Sequence, residues 1–113
     1  MTHGVLPADT AALKIVTQYW RGNTRVCELA TREQRLDLYI SGAKPENGGR
    51  CSVEARNGPK DDAARICQEA ATRSEALLAV AHDWRSQARE LGLPTHDWEL
   101  VATALRAVGA IDR

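Results

Sequence analysis

The sequence predicts a single α+β domain over residues 1–113: an N-terminal helix, a three-stranded antiparallel meander, one long helix and a short C-terminal helix. Three observations lead to this. Apolar residues alternate at period two through RLDLYISGAKPENGGRCSVEAR, residues 35–56. An alanine-rich stretch from 59 to 91 runs without a breaker at helical spacing. The chain has 113 residues, 43% apolar and 27% charged, which suits one globular domain and not a disordered chain.

The elements follow in order. Asp9 or Thr10 can cap a first helix, in which Leu13, Val16 and Trp20 repeat at helical spacing with Ile15 and Tyr19 beside them. Gly22-Asn23 ends it. The next stretch, Val26–Thr31, reads as either helix or strand; a third strand is preferred because an isolated hairpin is marginal in water. The hairpin itself is clearer. Leu36, Leu38 and Ile40 share one face with Asp37, Tyr39 and Ser41 on the other, and Cys51, Val53 and Ala55 alternate with Ser52, Glu54 and Arg56. Its loop carries Gly42, Pro45, Asn47, Gly48 and Gly49.

Pro59, with Asp61 and Asp62 after it, opens the long helix, and Gly92-Leu93-Pro94 stops it. Such a helix would have about 33 residues and span roughly 50 Å. Either it is continuous or it breaks near 71–74. Ala63, Cys67, Ala70, Ser74, Leu77, Ala81 and Trp84 recur at alternating steps of four and three, continued by Ala88 and Leu91, which is the spacing of a helix–helix seam. The last helix begins near Thr95 and presents Trp98, Val101, Ala102, Leu105 and Val108, ending at Gly109. It is too short to cover the whole seam, so a homodimer or another protein partner is expected there.

Lys/Arg and Asp/Glu number 15 each, so the net charge is zero. Strong nucleic-acid binders carry a basic excess, and none exists overall. Residues 21–60 carry a local excess of three positive charges, which makes Arg25, Arg32, Arg35, Arg50, Arg56 and Lys60 the candidates for a weak nucleic-acid contact. Cys27, Cys51 and Cys67 form no CxxC pair and read as reduced thiols of a cytoplasmic protein. The N-terminus lacks a signal-peptide pattern, and no apolar run is long enough to span a membrane.

Catalytic and metal chemistry find little support. HDW occurs twice, at His82–Trp84 and His96–Trp98. Neighbours on a helix point about 100° apart, and no cysteine lies close in sequence, so both read as tryptophan core anchors and not as metal ligands. A nucleophilic cysteine needs a base within reach, which the sequence does not supply. The loop at Asn47-Gly48-Gly49 lacks the phosphate-cradle patterns. No catalytic residue, metal or cofactor is assigned.

The order helix, three strands, then a helix start at NGPKDDAARICQEAA resembles that of double-stranded RNA-binding domains over residues 10–72. The resemblance implies phosphate contacts by Lys60 and Arg65 and a packing face of Ala63, Ala64, Ala70 and Ala71. Asp61 and Asp62 depart from that pattern by placing acids where phosphates would lie. The expected function is a small non-enzymatic interaction or regulatory protein, adaptor-like, acting through the helix seam or an open sheet edge. Weak nucleic-acid binding through the arginine-bearing sheet is the alternative.

Overall fold

A computed structural model describes residues 13–112. Five strands form one antiparallel meander in sequence order: β1 (Lys14–Arg21), β2 (Thr24–Ala30), β3 (Arg35–Lys44), β4 (Arg50–Arg56) and β5 (Arg65–Ala70). Two helices follow, α1 (Arg73–Leu91) and α2 (Trp98–Ala107), and pack on one face of the sheet. α1 lies over β4 and β5, and α2 extends the cover toward β1.

The α+β class holds, but the expected N-terminal helix, three-stranded sheet and single long helix do not. KIVTQYWR is a strand. Ile15, Val16 and Thr17 are β-branched and Tyr19 and Trp20 aromatic, side chains that lose rotamer freedom in a helix and fit a pleated surface. Gly22-Asn23 is a hairpin turn and not a helix end. Gly22 takes φ +60° at the first central position, where a type II′ turn demands glycine. The Asp9 and Thr10 caps fall outside the described residues. Val26 belongs to β2, which settles the helix-or-strand ambiguity in favour of strand.

The long helix divides. Residues 65–70 pair with β4 as an edge strand, and the helix starts only at Arg73. Helical propensity differs by less than 1 kcal/mol per residue among ordinary side chains, so the unpaired edge of β4 overrides it. Thr72 fixes the break: its hydroxyl oxygen accepts from the Glu75 amide at 3.1 Å and donates to the Glu75 carboxylate. Gly92, at φ +66°, closes α1 as the sequence indicates. The last helix starts at Trp98 and not near Thr95, and Asp97 caps it, its Oδ1 accepting from the Glu99 and Leu100 amides. The element order of double-stranded RNA-binding domains is therefore absent, since the strands Lys14–Arg21 and Arg65–Ala70 lie within the stretches its two helices would occupy.

The core forms between the helices and the inward face of the sheet. Leu36, Leu38 and Ile40 of β3 and Val53 and Ala55 of β4 point into it, as their alternation predicts. Leu77, Val80, Ala81 and Trp84 of α1 meet them, with Trp98, Val101 and Leu105 of α2. Trp84 is 1% exposed, and its indole N–H donates to the Pro94 carbonyl at 2.9 Å, pinning the link between the helices. Burying each large apolar side chain contributes about 1.5–3 kcal/mol, which makes this interface the main source of stability.

Candidate functional site

Among the described residues no helix packs on the outward face of the sheet. By register that face presents Thr17, Tyr19 and Arg21 of β1, Val26 and Glu28 of β2, Asp37 and Tyr39 of β3, Glu54 and Arg56 of β4, and Cys67 of β5. Two of its arginines are paired. Arg35 reaches Glu28 at 3.0 Å and Asp37 at 2.9 Å, and Asp37 is only 2% exposed. Arg56 pairs with Glu54 and lies 3.9 Å from the centroid of the Tyr39 ring, donating to its hydroxyl at 3.3 Å. Tyr19 donates to Glu28 at 3.4 Å. These contacts form a polar lattice in which Arg35 and Arg56 are neutralised by neighbouring carboxylates.

The six basic residues singled out in the sequence are not brought together. Arg35 and Arg56 belong to this lattice. Arg25 lies on the opposite, helix side of β2. Arg32 sits in the β2–β3 turn, Arg50 opens β4 and donates to the Glu69 carbonyl at 3.2 Å, and Lys60 lies in the β4–β5 connection.

The seam residues are likewise dispersed. Ala63 is in the β4–β5 connection, Cys67 and Ala70 belong to β5, and Ser74 begins α1. Leu77, Ala81 and Trp84 do share a helical face, and that face is spent on the chain's own core. The repeat spans a loop, a strand and a helix, so it forms no continuous stripe.

The exposed Cys67 thiol and the described histidines are set apart from one another. Cys67, the exposed thiol, faces away from the helices, whereas His82 lies on α1 and His96 follows it. Burial, then the Glu54 and Glu69 carboxylates, push the Cys67 thiol above its ordinary value, the reverse of an activated nucleophile. Burial also raises Cys27. Trp84 and Trp98 anchor the core, Asp97 caps α2, and Asp83 accepts from the Gln68 side chain. Among the described residues no three His, Cys, Asp or Glu side chains converge as metal ligands, and no helix is long and apolar enough to cross a membrane.

The sheet edges differ. β5 is short, and its exposed side chains are Arg65, Cys67 and Glu69. Charge and shortness blunt an edge. β1 has eight residues and carries Val16, 59% exposed, and Trp20, 64% exposed. Among the described residues no strand pairs with its outer side. A bulge at Val16 shifts the register between Ile15 and Thr17, leaving Val16–Trp20 as the stretch open to pairing. Reading Val16 and Trp20 as one helical stripe concealed this edge; the β-branched and aromatic run before a Gly-Asn turn is the signal that reveals it.

Comparisons with models of protein families, with curated proteins and with solved structures each find no match.

Proposed function

We propose that this chain is a non-enzymatic interaction module that associates through the outer edge of β1, its first partner being a second copy of itself. The observation that carries the reading is the pair Val16 and Trp20, large apolar side chains exposed on an edge strand. Placing two copies of β1 antiparallel about a twofold axis at Gln18 sets Trp20 opposite Val16 of the second copy. It sets Tyr19 opposite Thr17 and Arg21 opposite Ile15, so no like charges face each other. The edge is self-complementary, and pairing it would join two five-stranded sheets into one. The raised Cys67 thiol supports the non-enzymatic part of the reading.

A contact through one short edge is small, which places it among weak, transient associations. The test is solution mass by light scattering from roughly 1 μM to 1 mM, which spans about −8 to −4 kcal/mol of association. Mass should rise toward a dimer, and Gln18→Pro, which removes an edge donor, and Trp20→Lys should each abolish the rise while circular dichroism stays unchanged. A wild-type monomer across the series would refute self-association through this edge.

A further inference from the structure

A cleft of about 330 Å³ opens on the helix side of the sheet, where the β1–β2 turn, the end of β3 and the start of α1 meet. Three cations line it from three elements: Arg25 of β2, Lys44 at the end of β3 and Arg73 at the start of α1. Asn23 and the exposed Trp20 complete its polar and aromatic walls, and among the described residues no Asp or Glu lines it. The ion pairs among the described residues use other cations on the opposite face. The Asp112 carboxylate accepts from the Arg73 and Ser74 amides at the head of α1 and is not among the residues that line the cleft.

The cleft is organised before any ligand arrives. Arg25 Nη2 donates to Gln18 Oε1 at 2.7 Å and to the Val108 carbonyl at 2.8 Å, so its guanidinium is held in place. That group lies 5.7 Å from the centre of the Trp20 ring. Arg73 passes over Gly42: a Cβ there would stand 3.4 Å from Arg73 Nη2, so glycine leaves the guanidinium room against the strand.

We propose that this cleft binds a nucleoside monophosphate, with Trp20 stacking on the base and Arg25, Lys44 and Arg73 holding the phosphate. Three gathered cations with no lining carboxylate match a dianion better than a monoanion. Guanidinium forks fit phosphate oxygens in pairs, and an exposed indole beside them adds a stacking surface for a planar base. The volume lies at the small end of ligand pockets, enough for one nucleotide. The chain has no net charge and its outer face neutralises Arg35 and Arg56, which argues against a long basic track leading from the cleft. The ligand is therefore a free nucleotide in preference to a nucleic-acid end. The cleft does not rest on the self-association reading, but Trp20 contributes to both surfaces, so the decisive variants lie off β1.

The experiment is isothermal titration of the full chain with adenosine monophosphate, adenosine, inorganic phosphate, and a tetranucleotide with and without a 5′-phosphate. Adenosine monophosphate should bind at least about tenfold more tightly than adenosine or phosphate alone, since base and phosphate are held together. Lys44→Ala and Arg73→Ala should each weaken it about tenfold with circular dichroism unchanged. Should Arg73→Ala fail to fold, Lys44→Ala carries the test, because Lys44 ends a strand and its side chain makes no capping hydrogen bond to the turn that follows. A phosphorylated tetranucleotide bound more weakly than the mononucleotide supports the free ligand, and one bound equally well supports the same chemistry at a strand end. Absence of adenosine monophosphate binding at 10 mM, full binding in the Lys44→Ala and Arg73→Ala variants, phosphate binding as tightly as the nucleotide, or equal binding of the unphosphorylated tetranucleotide would each overturn the proposal.

Discussion

Lowering the pH from 7 to 4 should destabilise this fold through one imidazole. His96 is 8% exposed and packs with its ring centre 5.4 Å from that of Trp84 and 5.9 Å from that of Trp98. Among the described residues its Nε2 has no hydrogen-bond partner. Arg85 lines the same small cavity, so no carboxylate there welcomes a proton. Burial lowers the His96 pKa from 6.5 to about 4. Above pH 6.5 the ring is neutral in both folded and unfolded chains, and stability does not change. Between 6.5 and 4 the unfolded chain binds a proton that the folded chain refuses, so stability falls as pH falls. Below about 4 both states are protonated and the loss is complete. At 1.36 kcal/mol per pH unit the full difference is about 3 kcal/mol, and solvent reaching the cavity trims it to about 2 kcal/mol. That is a large part of the 5–15 kcal/mol that typically holds a domain. Burial works to raise the Asp112 carboxyl, but its amide and hydroxyl donors outweigh that and hold it below 3.8, beneath this window. Urea unfolding at pH 7.5, 6.5, 5.5 and 4.5 should show wild type losing about 2 kcal/mol more than His96→Phe. Parallel curves for the two proteins would refute the reasoning. A His96 proton resonance titrating near 6.5 in the folded wild type would refute it without any variant.

Three further outcomes follow from the packing. Leu77→Asp should prevent folding, because it buries an unpaired charge in the core, whereas Leu78→Asp on the exposed side of α1 should change stability by less than about 0.5 kcal/mol; thermal melts of the pair check this. Asp97→Ala removes the acceptor for two amides at the head of α2 and should cost about 1 kcal/mol, read as a melting temperature lower by about 5 °C. In native protein at pH 8 a thiol reagent should label Cys67 more slowly than a free cysteine and leave buried Cys27 and Cys51 unlabelled until urea is added; fast labelling of all three would contradict the packing.

Local chemistry alone determined the parts of this fold whose signals agree with one another. Leu36, Leu38 and Ile40 alternate beside Val53 and Ala55 around a Gly- and Pro-rich loop, and only a half-buried hairpin satisfies that pattern. Gly92 and the apolar face of Trp98, Val101 and Leu105 fixed the end of one helix and the body of the next. Tertiary structure decided the segments whose apolar residues fit two periods at once. Val16 and Trp20 are four apart and suit a helix, yet Lys14–Arg21 finds β2 beside it and becomes a strand. Ala63, Cys67 and Ala70 also suit a helix, yet Arg65–Ala70 completes the hydrogen bonds of β4. An unpaired strand edge outweighs the small differences in intrinsic propensity, and no window of sequence contains that edge. The cationic cleft was hidden for the same reason. Arg25, Lys44 and Arg73 are far apart along the chain and carry no shared motif; only the meander and the first turn of α1 bring their charges to one place.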